Sequence, residues 1–238
     1  MGSQSHPSRR AFIGLAAAAA GTAGYGAVKL TGSSDVSSKS AAPTVTHRRR
    51  QVSENSLQGD PNWPIRHLGT AEAMLGYTGQ ASVLPGEPIR LYASTTARSF
   101  TVSAFRMGWY RGDQARLVWR SGTVHGSQQS KPAVVRPTNT VQTAWGPSLT
   151  IPTDDWPEGS YLLRMDSESG PQRFVPVTVR SADGKGKVVI KNSVATWQAY
   201  NTWGGYDLYN GPGGLADYSN RSLVVSLDRP YDASGAYM

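Results

Sequence analysis

The sequence predicts a mainly β protein, an immunoglobulin-like sandwich, followed by the start of a second unit of α/β type. Three observations carry this. Short runs of strand-forming residues recur from about residue 77 to residue 179, punctuated by Gly and Pro, with almost no helical periodicity. Seven Trp and eleven Tyr accompany 26 Gly and 15 Pro, a loop-rich but core-forming composition. Beyond residue 186 the pattern changes to isolated apolar runs separated by a long Asn/Gly/Tyr/Trp-rich stretch.

Ahead of the strands stands a targeting segment. S-R-R-A-F-I-G, Ser8 to Gly14, places Arg9 and Arg10 before an Ala- and Gly-rich apolar run over residues 11–28. That order is the one an export signal uses, and the arginine pair followed by Phe12 matches its twin-arginine variant. Residues 1–30 are therefore expected to be read by the twin-arginine translocase, exporting the protein to the extracellular side or the outer face of the membrane. Without a clean A-x-A cleavage site, residues 11–28 could remain as an anchor. Residues 31–62, rich in Ser and carrying Arg48-Arg49-Arg50, read as a disordered tether.

The sandwich is expected over residues 63–183. Its strands are Ile89–Ala93 after the P-G-E-P turn, Phe100–Arg106, Leu117–Trp119, Ser148–Ile151, Tyr161–Met165 and Phe174–Val179. In W-P-E-G-S-Y, Pro157 and Gly159 make the turn and Tyr161 opens a strand that can bury its ring. Trp109, Tyr110 and Trp145 are candidates for carbohydrate stacking, with packing in the core and turns the favoured reading.

Composition excludes several chemistries. There is no cysteine, so disulfides, thiolate zinc sites, thiol nucleophiles and iron–sulfur clusters are ruled out. Of four His, His6 and His47 precede the folded part, leaving His67 and His125 and making a multi-His zinc site improbable. The net charge of +8 divides evenly, +4 over residues 1–60 and +4 over the remaining 178 residues, so the folded part has no concentrated basic excess and no nucleic-acid partner is expected.

From residue 184 onward, Lys187–Ile190 reads as the first buried strand of a parallel sheet and Arg221–Leu227 as another. Two strands do not make an independent layer, so residues 184–238 are expected to be an amino-terminal fragment of a larger domain.

The run N-S-V-A-T-W-Q-A-Y-N-T-W-G-G-Y-D-L-Y-N-G from Asn192, with S-L-D-R-P-Y ending at Tyr231, resembles the start of the C-terminal domain of the N,N-dimethylformamidase large (beta) subunit. G-Y-T-G-Q-A-S-V-L-P-G-E-P-I-R-L and F-R-M-G-W-Y-R-G resemble the sandwich that precedes it in exported actinobacterial-type members. The resemblance implies a glutamine-amidotransferase-like α/β domain that binds one non-haem Fe through two tyrosines and a glutamate. Tyr200 fits the first tyrosine and Tyr231 the second, while the glutamate-bearing segment has no counterpart here. Phenolate and carboxylate oxygens suit a hard ferric ion, which can polarise an amide carbonyl. The implied function is hydrolysis of the C–N bond of a small amide substrate by the completed protein, this chain being an inactive fragment. The alternative is a non-catalytic exported module whose sandwich binds polysaccharide or a surface partner.

Overall fold

The computed structural model describes residues 54–232. Arg9, Arg10, the apolar run over 11–28 and most of the expected tether lie outside them. The strands are β1 (Met74–Thr78), β2 (Ser82–Val83), β3 (Ile89–Thr95), β4 (Ser99–Met107), β5 (Ala115–Arg120), β6 (Val124–His125), β7 (Ala133–Val135), β8 (Thr140–Gln142), β9 (Leu149–Ile151), β10 (Gly159–Ser167) and β11 (Gln172–Val179). A small sheet runs β1–β3–β9 and a large one β2–β11–β10–β4–β5, with β6 also paired to β4. Pairing is antiparallel except between β2 and β11.

Alternation along the strands makes this a sandwich. In register, Leu163 lies between Ala104 and Val175, and Tyr161 between Arg106 and Val177. Leu163, Ala104, Val175, Tyr161 and Val177 meet Met74, Ile89, Leu91 and Ile151 of the small sheet in one buried cluster. Each Leu, Ile, Val or Met among them taken fully out of water contributes about 1.5–3 kcal/mol. The W-P-E-G-S-Y turn behaves as its residues dictate. Trp156 stacks on Tyr161 at 4.9 Å, and the Tyr161 hydroxyl donates back to the Pro157 carbonyl.

Glu54 to His67 form a strap across the large sheet, so the part of the expected tether that is described is packed. The Asp60 amide donates to the Ala115 carbonyl at 2.9 Å. Arg164 donates to the carbonyls of Asn62 and Trp63, and the Gln172 amide donates to the His67 carbonyl at 2.7 Å. Glu54 anchors the amino end on Arg116 at 2.6 Å.

Beyond β11 the two expected strands are absent. Val188, Val189 and Ile190 are 93, 76 and 85 % exposed, and Leu223 is 61 % exposed. Neither Lys187–Ile190 nor Arg221–Leu227 is a strand. Strand-forming residues become a strand only where another backbone offers a ladder, and no such partner lies beside either run among the described residues. The Ser222 and Leu223 amides instead donate to Asp207 and Thr138. The described part of 184–238 holds helix α1 (Val194–Ala199), a 3-10 turn at Leu215–Asn220 and one isolated bridge.

This segment packs on the hairpin β7–β8. Asn139 donates to the carbonyls of Asn220 and Arg221, Thr143 to Asp228, and Trp203 meets Trp145 edge-on at 6.0 Å. The sandwich and this segment fall in one compact unit.

Candidate functional site

Helix α1 and the loops after it place the residues of interest. Gln198 is 1 % exposed and Arg229 is 0 % exposed. Arg229 donates to the Gln198 side-chain oxygen at 3.0 Å, to the Gln198 carbonyl at 2.7 Å and to the Tyr206 carbonyl at 2.9 Å. Burial pushes the Arg229 guanidinium down to about 10, against the opposing pull of Asp207 and Tyr231. It remains charged at neutral pH, held by neutral acceptors.

Asn201 extends the same network. Its amide donates to the Gln198 side chain and to the Pro230 carbonyl, and its oxygen accepts from the amides of Trp203 and Asp232. The W-Q-A-Y-N and D-R-P-Y motifs are thus joined through Gln198, Asn201 and Arg229. Asp207, also fully buried, accepts from the amides of Tyr209 and Asn210 and from the Asn210 side chain, and so fixes the turn that carries Tyr209.

Tyr200 ends α1 and is 60 % exposed. Its ring stacks on Tyr209 with centroids 4.5 Å apart and a tilt of 17°. The neighbouring Tyr200 hydroxyl is the main cause that raises the Tyr209 pKa. Tyr231 sits elsewhere, edge-on to Trp197 at 6.4 Å. Burial raises its pKa, while the Gln198 hydrogen bond and the Arg229 charge act in the opposite direction. No hydrogen bond or ring contact joins Tyr200 to Tyr231 among the described residues.

Tyr231 also lines a cleft where the segment meets the sandwich. Tyr77 and Pro176 form one wall, Val194, Gln198 and Leu227 the other, around about 300 Å³ including the open mouth. Among the described residues no three His, Asp or Glu side chains gather as a metal site. Of the aromatics considered for carbohydrate, Tyr110 and Trp145 are buried in packing and Trp109 is 67 % exposed.

Gln198, Asn201, Asp207, Tyr209 and Arg229 are not singled out by reading the sequence. They stand inside the same motifs as the two tyrosines, and their signal is polar residues held between aromatic ones. No curated protein matches the chain. The family model for the N,N-dimethylformamidase beta subunit-like C-terminal region matches residues 101–238, from within β4 through both tyrosine loops. The chain belongs to the N,N-dimethylformamidase beta subunit-like family.

Proposed function

We propose that this chain is an exported, dimethylformamidase-like protein whose lineage hydrolyses the C–N bond of small amides with iron. The observation that carries this reading is the family match over residues 101–238, a span that includes both tyrosine-bearing loops. In it, Arg9 and Arg10 address the twin-arginine translocase, and residues 11–28 either leave with the signal or anchor the protein. Lys187–Ile190 and Leu223–Leu227, which are not strands here, are the runs that correspond to strands of a glutamine-amidotransferase-like α/β domain in this reading.

Phenol oxygens suit ferric iron, so the donor type fits. Tyr200 offers an accessible phenol on a fixed helix end. Tyr231 is engaged with Gln198 beside the positive charge of Arg229, and among the described residues no carboxylate cluster completes a shell. The described residues alone therefore do not fit a closed iron site, and no catalytic step is assigned to it. A ferric ion, when held, supplies a Lewis acid for the amide carbonyl. Gln198 orients the Tyr231 phenol, and the stack on Tyr209 orients that of Tyr200.

The test is optical. A longer family member that aligns with Tyr200 and Tyr231 and also carries the glutamate segment should purify with phenolate-to-iron colour. Its Tyr200→Phe counterpart should lose colour and metal while keeping its melting temperature. The 238-residue chain should stay colourless with ferric iron added. A longer member without iron, or a Phe variant that keeps it, overturns the iron-hydrolase reading.

A further inference from the structure

We propose that Tyr200 and Tyr209 form an oxidative cross-linking site, at which a haem peroxidase acting with hydrogen peroxide joins the two rings by a carbon–carbon bond. The pair is accessible, with Tyr200 60 % and Tyr209 40 % exposed. Its rings are already face to face at 4.5 Å. The backbone holds them there: the Leu208 amide donates to the Ala199 carbonyl at 3.0 Å, tying the Tyr209 turn to the end of α1. Asp207 receives the Tyr209 amide at 2.6 Å. Coupling therefore needs only local ring rotation at a solvent-facing position.

Among the described residues the other tyrosines lack this combination. Tyr77 and Tyr92 also stack, at 4.8 Å, but Tyr77 is 4 % exposed and its hydroxyl accepts from Thr143. Tyr218 is exposed, but its ring is covered by the Arg221 guanidinium at 4.0 Å. The site is independent of the iron reading, since neither its geometry nor its chemistry requires a metal on the protein.

The chemistry balances. Each phenol gives up one electron and one proton. The two phenoxyl radicals join at ring carbons ortho to oxygen, and the ring hydrogens at those carbons move back to the oxygens. The two electrons and two protons released reduce one peroxide to two waters. The product is the protein less two hydrogens, with the end of α1 covalently fixed to the turn that carries Tyr209.

The experiment treats the full chain with horseradish peroxidase and hydrogen peroxide, then reads dityrosine fluorescence and peptide masses. Cleavage before Asp207 and Asp217 puts Tyr200 and Tyr209 on different fragments. The expected product joins those fragments within one chain and is two hydrogens lighter than their sum. Tyr200→Phe and Tyr209→Phe, which keep both rings, should each reduce it to background with unchanged thermal melting. Tyr206→Phe, on the same fragment as Tyr200, and Tyr92→Phe should leave its yield as in the parent. Absence of the product, coupling only between chains, or its persistence in Tyr209→Phe overturns the proposal.

Discussion

Glu54 shows how one side chain can fix a segment. Its carboxylate accepts from Arg116 and from the buried Tyr110 hydroxyl, which in turn accepts from Arg106. Burial works to raise the Glu54 pKa, but the hydrogen bonds and charges of Arg116 and Tyr110, with Arg106 beyond, outweigh it and leave the pKa lowered. The sign of the pH effect follows. A carboxyl with a lowered folded pKa binds fewer protons folded than unfolded. Its contribution is present above the ordinary carboxylate value of about 4.3 and is lost as pH falls through the folded value. Glu54→Gln should therefore destabilise the chain at pH 7, and the gap to the parent should close as pH falls below about 4. Urea midpoints of both proteins at the two pH values test it, and a gap that widens in acid would contradict it.

At the scale of elements, the informative junction is between the hairpin β7–β8 and the segment after α1. Gly204 lies at φ +83°, and a Cβ placed there would stand 2.5 Å from Val141 Cγ1. Val141 is fully buried, so it has little room to yield. Gly204→Ala should cost about 2 kcal/mol or more, from overlap and from the left-handed backbone together. Combining it with Val141→Ala should cost less than the sum of the two single changes, because only the overlap is relieved. Denaturant unfolding of the four proteins measures this coupling, and strict additivity would mean that the two residues do not touch. The sandwich strands were legible because alternation and Gly/Pro turns are local signals: Ile89–Ala93, Phe100–Arg106 and Tyr161–Met165 all lie within strands. β1 and the two-residue strands β2 and β6 were not, since their pairing is set by distant partners, and the hairpin β7–β8 was not because its strands are only three residues each. Lys187–Ile190 misled for the opposite reason, having the composition of a strand without a neighbour to pair with. At the site, the tyrosines were legible through their motifs, whereas Arg229 was not, because burial is not written in its flanking residues.

For the whole molecule, the consequence of those unpaired runs is an apolar surface. Val188, Val189 and Ile190, and at a second place Leu223, Val224 and Leu227, are exposed. Contiguous exposed apolar residues promote association. Val189→Lys combined with Ile190→Lys should leave unfolding stability within about 0.5 kcal/mol, because nothing buried is lost, while lowering concentration-dependent light scattering of the full chain. A loss of several kcal/mol would show that these residues are packed in solution.

The strap from Glu54 to His67 also has a mechanical meaning. It lies across strands rather than along one, and its attachments come in sequence: Glu54 on Arg116, Asp60 on Ala115, Asn62 and Trp63 on Arg164, His67 on Gln172. A pull from the amino end would load these fastenings one after another, as tape lifts from a surface, instead of loading them together in shear. Tension would be dissipated in the strap before it reached the strands that hold the two sheets closed.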